Sequence, residues 1–135
     1  MSRVVRSLCV PALVLTLLAG CGSGYYPVTG KVTYPDGSPL PAGTVIGEAT
    51  INGQPVSVQG NIEADGNFRL GTDKPGGGVP PGSYKFAVMP IPIPDGKAGE
   101  GMKPAVDGKY TRYKSSGIAL DVKSEQNVLN ITVTK

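Results

Sequence analysis

The stretch "IALDVKSEQNVLNITV" (residues 118–133) sets the class of fold. Ile118, Leu120 and Val122 alternate with Ala119, Asp121 and Lys123. Leu129, Ile131 and Val133 alternate with Asn130, Thr132 and Thr134. An apolar residue at every second position lines one face of an extended chain, so each half reads as a strand with one buried side. The polar break "SEQN" (residues 124–127) predicts a hairpin between them.

The same period recurs toward the N-terminus. Val28, Gly30 and Val32 alternate with Thr29, Lys31 and Thr33. "YPDGSPLP" (residues 34–41) then turns the chain, because Pro35 fixes φ and Asp36-Gly37 tolerates positive φ. Residues 44–51 read as a second strand, "NGQP" (52–55) as a turn and residues 56–62 as a third strand. Ala64-Asp65-Gly66 leads into a fourth, with Phe68 and Leu70 on one face and Asn67 and Arg69 on the other. "GTDKPGGGVPPG" (71–82) is a loop, and Tyr84, Phe86 and Val88 mark a fifth strand against Lys85 and Ala87. No helical periodicity appears after Cys21. About seven short strands among 20 Gly and 13 Pro predict an all-β, immunoglobulin-like sandwich.

The N-terminus carries a different signal. Arg3 and Arg6 precede an apolar run from Leu8 to Ala19, interrupted only by Pro11 and Thr16. A bilayer-spanning helix needs roughly 20 apolar residues, so this shorter run reads as a secretory signal peptide. Leu18-Ala19-Gly20-Cys21 resembles the lipobox of bacterial lipoproteins. That resemblance implies cleavage after residue 20 and a lipid on Cys21, with the membrane as first partner. Stable anchoring takes more than one acyl chain. The competing reading is an ordinary signal peptide with an incidental cysteine, or a buried N-terminal helix. Cys9 falls in the discarded segment, so the sandwich is expected to hold without a disulfide. Residues 21–25 form a short tether, under about 20 Å at ~3.3–3.6 Å per residue. Residues 26–135 form the domain. The resemblance implies a bacterial cell envelope as the address. Gly22, where aspartate would signal inner-membrane retention in some bacteria, leans toward the outer membrane, facing the periplasm or the surface.

Within the domain, "VTGKVTYPDGSPLPAGTV", "ADGNFRL" and "PPGSYKFAV" resemble the carboxypeptidase regulatory-like domain, a transthyretin-like (prealbumin-like) sandwich. The matching positions are Val28/Gly30/Val32, Gly37/Pro39/Leu40, Asp65/Gly66/Phe68/Leu70 and Pro81/Gly82/Tyr84. The likeness covers residues 28–89, about half the chain. The remainder is similar to small lipoproteins of planctomycete-like bacteria. The resemblance implies a non-enzymatic module that accompanies or stabilises other proteins. Its motif residues serve folding: Tyr84 is expected to bury its ring and hydrogen-bond its hydroxyl to nearby backbone.

Chemistry is sparsely represented. The chain has no histidine and no tryptophan. The commonest general base and the Ser-His and Cys-His nucleophile pairs are therefore absent, as are the usual zinc ligands. Hydroxyisourate hydrolases and intradiol dioxygenases, relatives of the fold family, depend on histidines that this chain lacks. Asp36, Asp65, Asp95 and Asp107 each precede glycine, which is turn chemistry and lacks EF-hand spacing. No catalytic residue, metal or cofactor is expected. The net charge of +3, two units of it from Arg3 and Arg6, has no basic block and speaks against nucleic acid.

One segment remains for interactions. Residues 90–117 form a long loop with a proline-rich start. Its "KYTRYK" (109–114) sets Lys109, Tyr110, Arg112 and Tyr113 close together, a mixture suited to a glycan, a peptide of an envelope protein or lipid headgroups. The plainer reading is a solvated crossover whose tyrosines cover the end of the sandwich.

Overall fold

The computed structural model describes residues 24–74, 76–91 and 105–135. The signal peptide, the lipobox residues Leu18 to Cys21, Asp95 and most of the proline-rich start lie outside the described residues. The elements are β1 (Val28–Thr33), β2 (Gly43–Ile51), β3 (Gln54–Ile62), β4 (Asn67–Arg69) and β5 (Gly82–Met89), then a 3-10 turn (Gly108–Thr111), α1 (Tyr113–Ser116), β6 (Ile118–Val122) and β7 (Asn127–Thr132). Seven strands form two packed sheets, β4-β1-β7 and β3-β2-β5-β6. The β-sandwich is the fold that the alternation implied. Its pairing differs from that of a constant-type immunoglobulin domain, which would put strands 1, 2, 4 and 5 in one sheet.

The inward residues are those of the period-two pattern. Val28, Val32, Val45, Val58, Phe68, Leu70, Tyr84, Phe86, Val88, Val122, Leu129, Ile131 and Val133 are all buried. Tyr84 and Phe86 stack with ring centroids 6.1 Å apart. Tyr84 donates its hydroxyl to the Pro80 carbonyl at 2.9 Å, the corner expected of it. Burial pushes its pKa up to about 12, with Tyr25 adding to the rise. Gly47 makes room for this aromatic layer, since a Cβ there would lie 2.6 Å from the Phe86 ring.

Three local expectations need correction. The first is the hairpin at residues 124–127. β6 pairs antiparallel with β5, whereas β7 pairs parallel with β1, so the two strands belong to facing sheets. Alternation fixes which face of a strand is buried and leaves its neighbour open. The crossing is held by Asn127, which is 7% exposed. Its Oδ1 accepts from the Lys123 N–H at 3.0 Å, and its Nδ2 donates to the Lys123 and Glu125 carbonyls at 3.0 and 2.7 Å. One amide thus satisfies the backbone that a hairpin ladder would otherwise satisfy.

The second correction is the turn after β2. It contains only Asn52 and Gly53, with φ of 50° and 76°. Two positive φ values make the tight hairpin favoured by strand twist. Gln54 and Pro55 then belong to β3, opposite Ile51 and Thr50. The third is the long loop. Residues 108–116 form single helical turns, too short to leave a periodic trace in the sequence. Both turns pack against β5. Ala87 alternates with the inward Phe86 and Val88, yet it is fully buried as well.

The chain gives the sandwich a direction. Tyr26 exchanges backbone hydrogen bonds with Val79 at 2.9 and 2.8 Å, at the root of β1. β1 and β7 run in parallel away from that root. At the far end, Tyr34 donates to the Ala105 carbonyl at 2.7 Å, and the Asp107 N–H donates to the Thr134 carbonyl at 2.7 Å. Residues 105–107 therefore sit at the end opposite Gly24 to Tyr26.

Candidate functional site

The KYTRYK segment starts from this far end. Asp107 opens the 3-10 turn by accepting from the Lys109 N–H at 2.9 Å. Tyr110 folds back so that its ring packs on the core cluster. The Lys109 ammonium stands 4.9 Å above that ring. Tyr113 is half-buried, and desolvation, followed by the Glu48 carboxylate, raises its pKa. Gly117 closes α1 in the left-handed conformation, and the buried Ser116 hydroxyl donates to the Phe86 carbonyl. The segment is thereby fastened to β5 just beyond the last residue that β6 pairs with, Phe86. Tyr110 and Tyr113 serve packing, while Lys109 and Arg112 are exposed. The structure divides the four residues into two anchors and two presented cations.

Sequence reading passed over a second region. The outward residues of β4, β1 and β7 form rows on the three-stranded sheet. Arg69, Thr29 and Val128 make one row, and Asn67, Lys31 and Asn130 the next. With Glu63, Asp65 and Gln126 at the rim, they line an open groove of about 720 Å³. The outward half of an alternating strand reads as ordinary solvated surface. Only the pairing of β1 with both β4 and β7 gathers these polar groups. Amides, a hydroxyl, cations and carboxylates there offer both donors and acceptors.

The Asp36 turn stands apart from both regions, and the Asp65 turn forms part of the groove rim. The Asp36 carboxylate accepts from the Ser38 N–H at 2.9 Å and from its hydroxyl. Those bonds, the hydroxyl first, hold its pKa below the usual range. Asp65 accepts from the Asn67 N–H at 3.0 Å and from its Nδ2 at 2.7 Å, with the same consequence. Each aspartate closes its own turn. No three acidic, cysteine or histidine side chains converge among the described residues. Among those residues, too, no helix is long and apolar enough to cross a membrane. In comparisons with known proteins, no family model, no curated protein and no solved structure matches the chain.

Proposed function

We propose that the protein is a lipid-anchored envelope lipoprotein whose sandwich is a non-enzymatic module for structural or protein contacts. The observation that carries this reading is the direction of the domain. The described chain starts at the root, a few residues after Cys21, and the Lys109–Arg112 segment begins at the other end. β5, with eight residues, spans the distance between them, roughly 25 Å at about 3.3 Å per residue. A domain held by Cys21 would present its far end away from the bilayer. The lipobox residues and the regulatory-like motifs support the same reading. The non-enzymatic part is supported by the shifted titratable groups: each is a packed tyrosine or a turn-closing aspartate.

The test is intact mass and membrane fractionation of native protein beside a Cys21→Ala variant. Loss of residues 1–20, added acyl mass and membrane partition in the native protein alone would support anchoring. An unacylated, freely soluble native protein would overturn it.

The groove on the three-stranded sheet favours a second reading, glycan binding. Hydroxyl-rich chains both donate and accept, as its lining does. Affinity electrophoresis through a neutral polysaccharide gel tests this. Retardation that disappears in the Lys31→Ala/Arg69→Ala variant supports it, and unretarded wild-type protein rejects it.

A further inference from the structure

The four edge strands of this sandwich are not equally available. β3 leaves the two-residue turn with Ile51 opposite Gln54, so residues 55, 57, 59 and 61 direct their backbone outward. Pro55 has no N–H to offer, and Gln59 already exchanges two bonds of 3.0 Å with Gly71. β4 has only three residues and abuts β3 so closely that a Cβ on Gly60 would lie 2.1 Å from the Arg69 carbonyl. β6 has only five residues, carries the exposed Asp121 with Lys123 just past its end, and has the Lys123 N–H tied to the Asn127 amide. These are the ways natural sheets protect an edge.

Among the described residues, β7 lacks such protection along its middle. The Asn127 and Val133 N–H groups donate to β1 at the Pro27 and Thr33 carbonyls, both at 2.9 Å. The strand period then directs the N–H and C=O groups of Val128, Asn130 and Thr132 to the opposite side. Among the described residues, β1 is the only ladder partner of β7. Val128 is 59% exposed, and Asn130 and Thr132 are exposed too. Among the described residues this edge is used only at the top, where the Asp107 N–H donates to the Thr134 carbonyl. Below it the sandwich is incompletely sealed, because Ile118 and Leu120 of the facing β6 are half-buried against the core.

We propose that the β7 edge is a strand-addition site for an extended segment of another protein that carries apolar residues at every second position. The free backbone groups supply affinity in such a ladder, and alternate side chains supply selectivity. Every second side chain of the added strand would point inward and cover Ile118 and Leu120. A second copy fits less well. Isologous pairing of β7 with β7 is antiparallel, so the two roots would point in opposite directions and could not share one membrane. That last step rests on the anchoring reading.

The experiment uses full-length protein in detergent micelles and a designed ten-residue peptide, with valine at alternate positions and threonine or lysine between. A control peptide has serine for valine. The expected result is that only the valine peptide binds, slowing amide exchange at Val128, Asn130 and Thr132 at least tenfold. Asn130→Pro removes one outward donor and abolishes binding. Asn130→Thr keeps the donor and retains binding, which separates edge loss from misfolding. Absence of binding, or equal binding by Asn130→Pro, would overturn the proposal. So would exchange at the three amides already as slow as at Leu129 in peptide-free protein, which would place residues 92–104 or another part of this chain on the edge. A dimer in sedimentation that Val128→Lys dissociates would reassign the edge to a second copy. Absence of acyl mass on the same preparation would remove the anchoring reading and leave the peptide result standing.

Discussion

On the flank where β3 meets β4, the chain passes from one sheet to the other through a tight turn. The Glu63 N–H bonds the Asn67 carbonyl at 2.8 Å, and Gly60 lets the two backbones touch. On the flank where β6 meets β7, the chain also changes sheets, but it does so around one buried side chain, Asn127. The first flank is sealed by backbone. The second is bridged by an amide and, among the described residues, leaves a strand edge and half-buried leucine and isoleucine beside it. Two flanks built from the same alternating pattern thus differ in what they can still bind.

The sharpest way to break the closed flank is Gly60→Val. Its Cβ would meet the Arg69 carbonyl, a backbone atom that cannot rotate away. Overpacking against side chains typically costs about 1–3 kcal/mol, and against fixed backbone the loss should reach or exceed about 3 kcal/mol. Denaturant titration would read this as a lower midpoint. A near-native midpoint would show that the flank yields, and the contrast with β6–β7 would lose its basis.

On the open flank the equivalent probe is Asn127→Ala. It strands the Lys123 N–H and two carbonyls at a part-buried site. The expected loss is about 2 kcal/mol. The sheets themselves should persist, since β7 keeps its ladder to β1. Exchange should therefore accelerate at Lys123 and Glu125 more than at Leu129 and Ile131.

Those two flanks also show what was legible in the sequence. Phe68, Leu70, Tyr84 and Leu129 declared their inward direction through alternation, and Tyr84 declared its hydroxyl bond through the Pro-Gly-x-Tyr pattern. Neighbour relations were not declared. Asn127 reads as the last residue of a polar turn until β7 is seen beside β1. Tyr34 reads as the start of a turn, although its hydroxyl reaches a carbonyl 71 residues away. The groove residues Lys31, Arg69 and Asn130 look like scattered surface until three strands align them. In the KYTRYK segment the residue types were visible. Their division into packed rings and presented cations depends on how one helical turn seats on β5, which no local pattern encodes.

Tyr84 belongs to neither flank and sharpens the comparison by testing the layer between them. Tyr84→Phe removes the bond to Pro80 and should cost about 1 kcal/mol. Its pH behaviour carries a sign. The folded pKa, near 12, lies above the usual tyrosine value of 10. Between those values the unfolded chain has lost a proton that the folded chain retains, so stability falls as pH rises through that window. The Phe variant should show a shallower decline between pH 10 and 12 in denaturant titrations. An equal slope would mean that Tyr84 ionises as readily when folded.

The smallest expected effect lies at the far end, in Lys109→Ala and Arg112→Ala. Neither cation has a carboxylate partner within salt-bridge distance among the described residues, and the exposed Lys109 stands over the Tyr110 ring. Exposed substitutions of this kind usually stay within about 0.5 kcal/mol. A cation over a ring at an exposed site adds about as much. The pair should therefore unfold at nearly the native denaturant midpoint, while Tyr110→Ala, which opens the packing on the core cluster, unfolds distinctly earlier. If the cation variants fell with Tyr110→Ala, the segment would be a structural clamp throughout, and the argument that its charges are presented to a partner would fail. If only the tyrosine variant falls, packing and presentation are separable. The cations can then be altered in binding experiments without disturbing the β7 edge.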